Sequence, residues 1–244
     1  MLKQKNNFSL LKKDYWSAAA ANFKDTKMLV MAAVIIALRV VVKGLKVPVF
    51  EGISITWDCY VNSIGSMVYG PLVGLAVGAI SDTIGCILFP TGPYFFPYIF
   101  VEMASAFIFG LFFWKKQITV PNAILSKFTV NLVCNLILGS VFYKWYLFFF
   151  YSLEKAEAYA LINLTRIGKN LILFPLEAIL IAVLLRAISP ALASLGLINK
   201  NTIQKITLKH ILLTLLLTII SVGLVLFYIF FLKDFISAHN IKLF

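Results

Sequence analysis

Long apolar stretches recur along the whole chain, separated by short segments that carry glycine, proline and charged residues. A helix needs about 20 apolar residues to cross the hydrocarbon core of a bilayer. By that criterion the sequence predicts seven membrane-spanning helices, at 28–43, 53–69, 71–90, 96–114, 126–149, 168–190 and 208–232. The pattern therefore predicts an all-α integral membrane protein with mostly short connections.

The third apolar stretch carries a regular row of small residues. Gly70, Gly74 and Gly78 recur every four residues, and Asp82 continues the same spacing. Glycine at this spacing makes a smooth helix face on which a second helix can pack closely. An acidic residue at membrane depth is costly and needs a partner, so Asp82 indicates a region with a function.

Composition changes the interpretation of the net charge. Apolar residues make up 61% of the chain, charged residues 13%, and the mean hydropathy is +0.93. A net charge of +12 is typical of nucleic-acid binding in a soluble protein, but in a membrane protein basic residues mainly mark the cytoplasmic side. With the N-terminus inside, the inner segments hold thirteen Lys and Arg, Lys127 among them, and the outer segments hold seven. We therefore expect a multi-pass protein of the cell membrane with a cytoplasmic N-terminus and no nucleic-acid partner.

Three regions are predicted along the chain. Residues 1–27 form a lysine-rich cytoplasmic segment, in which 8–23 has the pattern of an amphipathic helix lying on the inner leaflet. Residues 28–195 form a six-helix membrane domain, and 208–232 adds a seventh transmembrane helix.

Polar and aromatic residues within these spans cluster toward the outer half of the predicted bundle. Arg39 lies two residues after Ala37, which places it on nearly the opposite side of the first helix at about 100° per residue. A pocket for a small molecule typically joins aromatic walls to a few converging polar groups. The candidate ligand-binding residues are Arg39, Trp57, Asp58, Asn62, Tyr94, Tyr98, Glu102, Asn135, Lys169 and Asn170.

Two alternatives remain open for the charged candidates. Asp58 and Glu102 could form internal ion pairs with Arg39 or Lys43, as structural charges in membranes often do. Arg39 could instead extend along the helix to the outer headgroups.

Enzyme motifs are missing from the sequence. His210 and His239 belong to no HExxH motif, and no GxxxxGK[ST] loop for ATP is present. The three cysteines, Cys59, Cys86 and Cys134, lie within apolar segments and are interpreted as small buried hydrophobes. The sequence also shows no inverted repeat of the kind that secondary transporters use. We expect neither catalysis nor a cofactor or metal.

Three segments, in order, resemble a known family. They are the first helix with Ala33 and Ala37, the stretch MVYGPLVGLAVGAISDTIGCILFPTGPYF, and RIGKNLILFPLEAIL from Arg166 to Leu180. Together they resemble the substrate-binding S components of energy-coupling-factor (ECF) vitamin transporters, most closely the folate family. The resemblance runs from about residue 24 to about residue 190.

This resemblance implies a six-helix bundle with a ligand pocket near the outer surface, capped by the loops between helices 1 and 2 and helices 3 and 4. It implies that Ala33 and Ala37 dock on a transmembrane coupling (T) subunit, which is shared with two cytoplasmic ATPases. Transport would follow from toppling of the S component within the membrane lipids as ATP is consumed. The expected ligand is a folate or a related pterin.

Two departures from the folate family bear on the ligand. Trp57 and Asp58 replace apolar residues, and Glu102 is unexpected in its segment. A carboxylate pairs well with the 2-amino and N3 groups of a pterin, and Arg39 suits the glutamate carboxylates of a folate. Another small vitamin or a nucleobase-like ligand remains an alternative: the cation thiamine, queuine or queuosine, or riboflavin. A structural or channel-like membrane protein is the alternative outside transport.

Overall fold

The computed structural model describes residues 12–45, 47–50, 53–55, 57–90, 92–159 and 164–199, together with Leu212, Leu216, Ile219 and Gly223. At 47–50, 53–55, 164–169 and 172 it describes the backbone alone. The helices are α1 (Lys13–Ala21), α2 (Thr26–Gly44), α3 (Asp58–Leu88), α4 (Tyr98–Phe113), α5 (Val120–Val130), α6 (Gly139–Phe150), α7 (Leu153–Ala158) and α8 (Leu164–Ser194). A 3₁₀ turn (Asn22–Lys24) joins α1 to α2, and a π-helical segment (Asn131–Leu138) joins α5 to α6.

Helix α3 reverses direction at Gly70. Asp58 and Asp82 would lie about 36 Å apart along a straight helix, yet both line one cavity. Gly70 has a φ of 83°, a backbone conformation that only glycine adopts without strain, and Pro71 begins the next helical segment. The chain therefore forms two antiparallel arms, 58–69 and 71–88, in agreement with the two separate spans predicted from the sequence.

The reversal sets the depth of both acids. Asp58 and Asp82 each lie twelve residues from Gly70, so each stands about 18 Å from the turn. At the end of the first arm, the Asn22 side-chain amide donates a hydrogen bond to the Tyr69 carbonyl oxygen at 2.9 Å. Asp58 on the first arm and Asp82 on the second therefore lie at the same depth in the bundle.

The glycine row packs against α4, as predicted. A Cβ added to Gly74 would lie 3.3 Å from the Ala106 carbonyl oxygen, and one added to Gly78 would lie 2.8 Å from the Glu102 carbonyl oxygen. In lipid, helices associate mainly through such close packing, since lipid tails offer apolar surface as readily as a neighbouring helix does. The row therefore positions the backbone of Glu102.

A short antiparallel hairpin interrupts the helical pattern between α2 and α3. Strand β1 (Val47–Phe50) pairs with β2 (Ile53–Ile55), with Val47 opposite Ile55. The prediction that a helix covers 53–69 was therefore wrong at its start. The segment Ile53–Ile55 is short, contains β-branched residues and pairs as a strand. The hairpin connects the end of α2, which carries Lys43, to the start of α3 at Asp58. Both residues line the cavity described below.

The fifth predicted span is longer at its start than the sequence indicated. The Thr119 side chain accepts a hydrogen bond from the Asn122 backbone N–H at 3.2 Å, and Pro121 follows in the first turn. These are typical signals of a helix start. Helical structure then runs from Val120 through Phe150, so Lys127 lies about two turns from the helix start and not at its first turn.

Within the described residues, three helical segments pass as membrane spans by length and composition: Val120–Phe150, Leu173–Ser194 and Asp58–Leu88, of which the last is folded in two at Gly70. Large apolar side chains on their outer faces, such as Ile80, Phe128 and Val183, are exposed, which suits contact with lipid. The predicted seventh helix, 208–232, lies outside the described residues except for four positions. The number of membrane-spanning helices therefore stays a prediction.

We predict that Gly78→Ala destabilises the protein more than Gly74→Ala. The new methyl group at Gly78 overlaps the Glu102 backbone, whereas the one at Gly74 is only a tight contact. Overpacking typically costs about 1–3 kcal/mol. Thermal unfolding of the two purified variants in detergent measures the difference, with Gly74→Ala as the matched control one turn away. Equal melting temperatures would contradict the packing described for the row.

Candidate binding site

A cavity of about 410 Å³ opens among α2, both arms of α3, α4, α5, the π-helical segment and α8. Its volume falls within the range of small-molecule sites, about 300–1,000 Å³. Its lining mixes charged, aromatic and apolar side chains: Lys43, Asp58, Cys59, Asp82, Gly85, Cys86, Phe89, Tyr98, Val101, Glu102, Ser105, Lys127, Val130, Cys134, Asn135 and Glu177.

Arg39 binds two acids behind the cavity wall. Its Nε and Nη2 donate to the two carboxylate oxygens of Asp58 at 2.9 and 2.8 Å. Nη2 also donates to Oε2 of Glu102. Arg39 is completely buried, so the alternative in which it extends to the outer headgroups is wrong. Asp58 and Glu102 both form internal ion pairs with Arg39, as the other alternative predicts.

A second pair joins α2 to the second arm of α3. Lys43 Nζ lies 2.7 Å from Oδ1 of Asp82. Asp82 was noted in the sequence as an acid on the glycine row, and it receives the partner that such an acid needs. Its other oxygen, Oδ2, is buried and has no hydrogen-bond partner among the described residues.

A third ion pair, Lys127 with Glu177, was not among the predicted site residues. The two side chains meet at 3.0 Å between α5 and α8, and both are almost fully buried. Lys127 stands at the second position of the predicted span 126–149, but the helix begins at Val120 and places this lysine about two turns further in. A lysine inside an apolar helix, facing an acid in another, was the available signal.

Two predicted asparagines meet where the helix widens. The Asn135 amide donates to Asn131 Oδ1 at 3.0 Å and to Asn170 Oδ1 at 2.8 Å. Asn135 lies in the π-helical segment and lines the cavity together with Cys134. Single π-helical turns within α-helices are frequent at functional sites.

The other predicted residues lie at varying distances from the cavity. Tyr98 lines it, and the buried Asn62 side chain donates to Ser105 Oγ, which also lines it, at 3.1 Å. Trp57 is 40% exposed and Tyr94 47% exposed, and neither lines the cavity. The side chain of Lys169 is outside the described part of the structure.

Ala33 and Ala37 lie on the exposed face of α2, opposite the buried Arg39. Their neighbours on this face, such as Val30 and Val41, are also exposed. Arg39, which helix geometry places on nearly the opposite side from Ala37, is buried within the bundle. The alanine face is therefore exposed in the described part of the chain, and at one end Val30 lines a groove with Leu195 and Leu197.

The family model described as "ECF-type riboflavin transporter, S component" matches residues 23–190. This match covers more than half of the chain. The chain belongs to the ECF-type S-component family. The resemblance deduced from the glycine row and its neighbouring motifs is thereby confirmed, and the protein is a membrane transporter component.

Two curated proteins named "Folate transporter FolT" are similar to this S component. The one from Clostridium novyi is 29% identical over 119 residues, which cover 49% of this chain and 64% of that protein. The one from Leuconostoc mesenteroides subsp. mesenteroides is 27% identical over 154 residues, which cover 63% of this chain and 81% of that protein. The S component thus spans somewhat less than two thirds of the length of the Clostridium protein.

A solved structure shares the fold. The crystal structure of FolT bound with folic acid matches with a TM-score of 0.55 and 24% identity, covering 65% of this chain and 91% of that chain. The helical bundle described above is therefore an S-component fold.

We predict that Arg39→Gln strongly destabilises the ligand-free S component. Removing one partner of a buried ion pair leaves unpaired charge behind and typically costs about 3–5 kcal/mol. Lys27→Gln is the control, because Lys27 is an exposed basic residue on the same helix and substitutions at such positions usually change stability by less than about 0.5 kcal/mol. Thermal unfolding in detergent compares the two, and similar melting temperatures would contradict a structural role for Arg39.

Proposed function

We propose that this S component captures a folate or a related pterin outside the cell and delivers it across the membrane. Its relatives are named folate transporters, and its fold matches a FolT bound with folic acid. The observation that carries the proposal is the cavity of about 410 Å³, which combines carboxylates, lysines and aromatic side chains. The ligand suits this combination because folate joins a donor-rich pterin ring to an acidic glutamate tail.

In this proposal the charged residues divide into two roles. Asp58 and Glu102 face the cavity and Arg39 holds them from behind, so Arg39 positions the acids instead of binding the glutamate tail directly. Lys43 and Lys127 line the cavity and supply the positive charge for the ligand carboxylates. Tyr98, with Phe89, supplies the aromatic wall, and Asn135 with Asn170 adds neutral polar contacts.

Riboflavin is the second candidate ligand, because the matching family is described as a riboflavin transporter component. Thiamine and queuine or queuosine are less well supported, since a cation leaves the cavity lysines without a partner in the ligand. A structural or channel-like role is not favoured by any feature of the site.

The proposed partners are a transmembrane T subunit and two cytoplasmic ATPases, with the N-terminus in the cytoplasm. Ala33 and Ala37 support this, because they are exposed and lie four residues apart on one face of α2. Small residues at this spacing allow a second helix to approach closely in lipid. In the complex the S component would topple to carry the cavity from the outer to the inner side.

We predict that the purified S component binds folic acid more tightly than riboflavin or thiamine and does not transport it alone. Isothermal titration in detergent with the three vitamins tests the ligand. Liposomes holding the S component, with and without its T subunit and ATPases, test transport. Tight riboflavin binding with no response to folic acid would overturn the folate assignment. Uptake by the isolated chain would overturn the proposed mechanism.

We predict that Ala33→Trp and Ala37→Trp abolish uptake by the assembled transporter and leave ligand affinity within about threefold. A bulky indole blocks close helix approach, while the cavity lies on the opposite side of α2. Leu38→Trp is the matched control, since Leu38 is 46% exposed but points about 100° away from Ala37 around the helix. If the control loses uptake equally, the docking face is assigned to the wrong side of α2.

A further inference from the structure

The acids of the cavity differ in how much of each carboxylate remains available to a ligand. Both oxygens of Asp58 accept hydrogen bonds from Arg39. Glu102 accepts from Arg39 through Oε2 alone, so Arg39 leaves its Oε1 unengaged. The Glu102 side chain is 26% exposed, against 17% for Asp58. Glu102 therefore presents the more available carboxylate oxygen.

Asp82 is less suited to meet a ligand. Its Oδ1 is bound to Lys43, and its Oδ2 is buried away from the open space. The Glu177 carboxylate is paired with Lys127 and is 12% exposed. Among the four acids that line the cavity, Glu102 is the most exposed.

The Glu102 carboxylate is also held in place from two sides. Its backbone packs directly on Gly78, where even a Cβ would lie 2.8 Å from the carbonyl oxygen. Its Oε2 is fixed by the fully buried Arg39, which is itself fixed by Asp58. A recognition group that is positioned before the ligand arrives loses little entropy on binding.

Charge adds a second constraint at this end of the cavity. Three carboxylates, those of Asp58, Asp82 and Glu102, meet the two cations of Arg39 and Lys43. When all five groups are ionised, one negative charge has no cationic partner there. A ligand that offers paired N–H donors to this carboxylate stabilises it, whereas a ligand that offers carbonyl oxygens repels it.

We propose, on the basis of the folate function above, that Glu102 is the residue that selects the ligand ring. Its carboxylate accepts hydrogen bonds from two adjacent N–H donors, the 2-amino group and N3–H of a 2-amino-4-oxopteridine. It disfavours rings that carry a carbonyl oxygen at C2 in place of the amino group. In a 2,4-dioxo ring, which riboflavin also contains, N3–H lies between two carbonyl oxygens and can give the carboxylate only one hydrogen bond. Asp58 acts as a positioning residue through Arg39.

Two ligands that differ at one position test this inference. Folic acid and 2-deamino-2-oxofolic acid share the ring system and the glutamate tail, and they differ only in the 2-amino or 2-oxo group. The unmodified S component should bind folic acid on the order of 30-fold more tightly, since losing a charged hydrogen-bonded contact typically costs this much affinity or more. Isothermal titration of the full-length protein in detergent measures the ratio of the two affinities.

Glu102→Gln should reduce this ratio to within about threefold, because an amide offers one acceptor and one donor in place of two acceptors. Glu157→Gln is the matched control, because Glu157 is an exposed acid outside the cavity lining, and it should keep the full ratio. If Glu102→Gln does not fold, Glu102→Met, of similar length and without an acceptor, should give the same loss of discrimination.

The outcomes separate this inference from the proposed function. A protein that binds folic acid and keeps its discrimination after Glu102 is replaced would overturn the role of Glu102 and leave the folate function standing. An equal loss of discrimination in Glu157→Gln would also overturn it. If the unmodified protein binds neither folic compound, the folate function fails and the inference fails with it.

Discussion

Arg39 carries a positive charge that reaches neither water nor the lipid headgroups. Burying such a charge costs several kcal/mol unless other charges and hydrogen bonds compensate it. Compensation comes from Asp58 on the first arm of α3 and Glu102 on α4. Three helices are therefore tied together at one point, and that point lies directly behind the cavity.

The reversal at Gly70 makes this arrangement possible. It brings Asp58 and Asp82 to the same depth, because each is twelve residues from the turn. The close contact of Gly78 with the Glu102 backbone then places α4 against the second arm. A bulkier residue at either glycine would separate the arms or move α4 outward, and the acids would no longer converge.

The same charges that stabilise the bundle also shape what it can bind. Hydrogen bonds hold the ion pairs at the cavity wall in place. Their carboxylate and ammonium groups therefore give the cavity a fixed pattern of charge. On the opposite side of α2, small and apolar residues face outward. One helix thus contributes Lys43 to an ion pair at the cavity on one side and an exposed apolar surface on the other.

Much of this could be deduced from the sequence. Apolar stretches with few charges specify membrane helices whatever their neighbours are, and the four-residue glycine spacing predicts a close helix contact, which Gly74 and Gly78 make with α4. The position of Arg39 opposite Ala37 follows from helix geometry alone. These properties are local, so residues near one another in the chain are enough to determine them.

Only the tertiary structure decided which charges pair and which face the cavity. The resemblance to the folate family marks Asp58 and Glu102 as departures, but it does not show that Arg39 binds both oxygens of one acid and one of the other. Lys127 was counted among the basic residues of the inner side, and its partner Glu177 lies fifty residues further along the chain. The hairpin before Asp58 was likewise hidden, since its short apolar strands resemble a helix end. Pairing between distant segments depends on how the helices pack, and no local pattern encodes that packing.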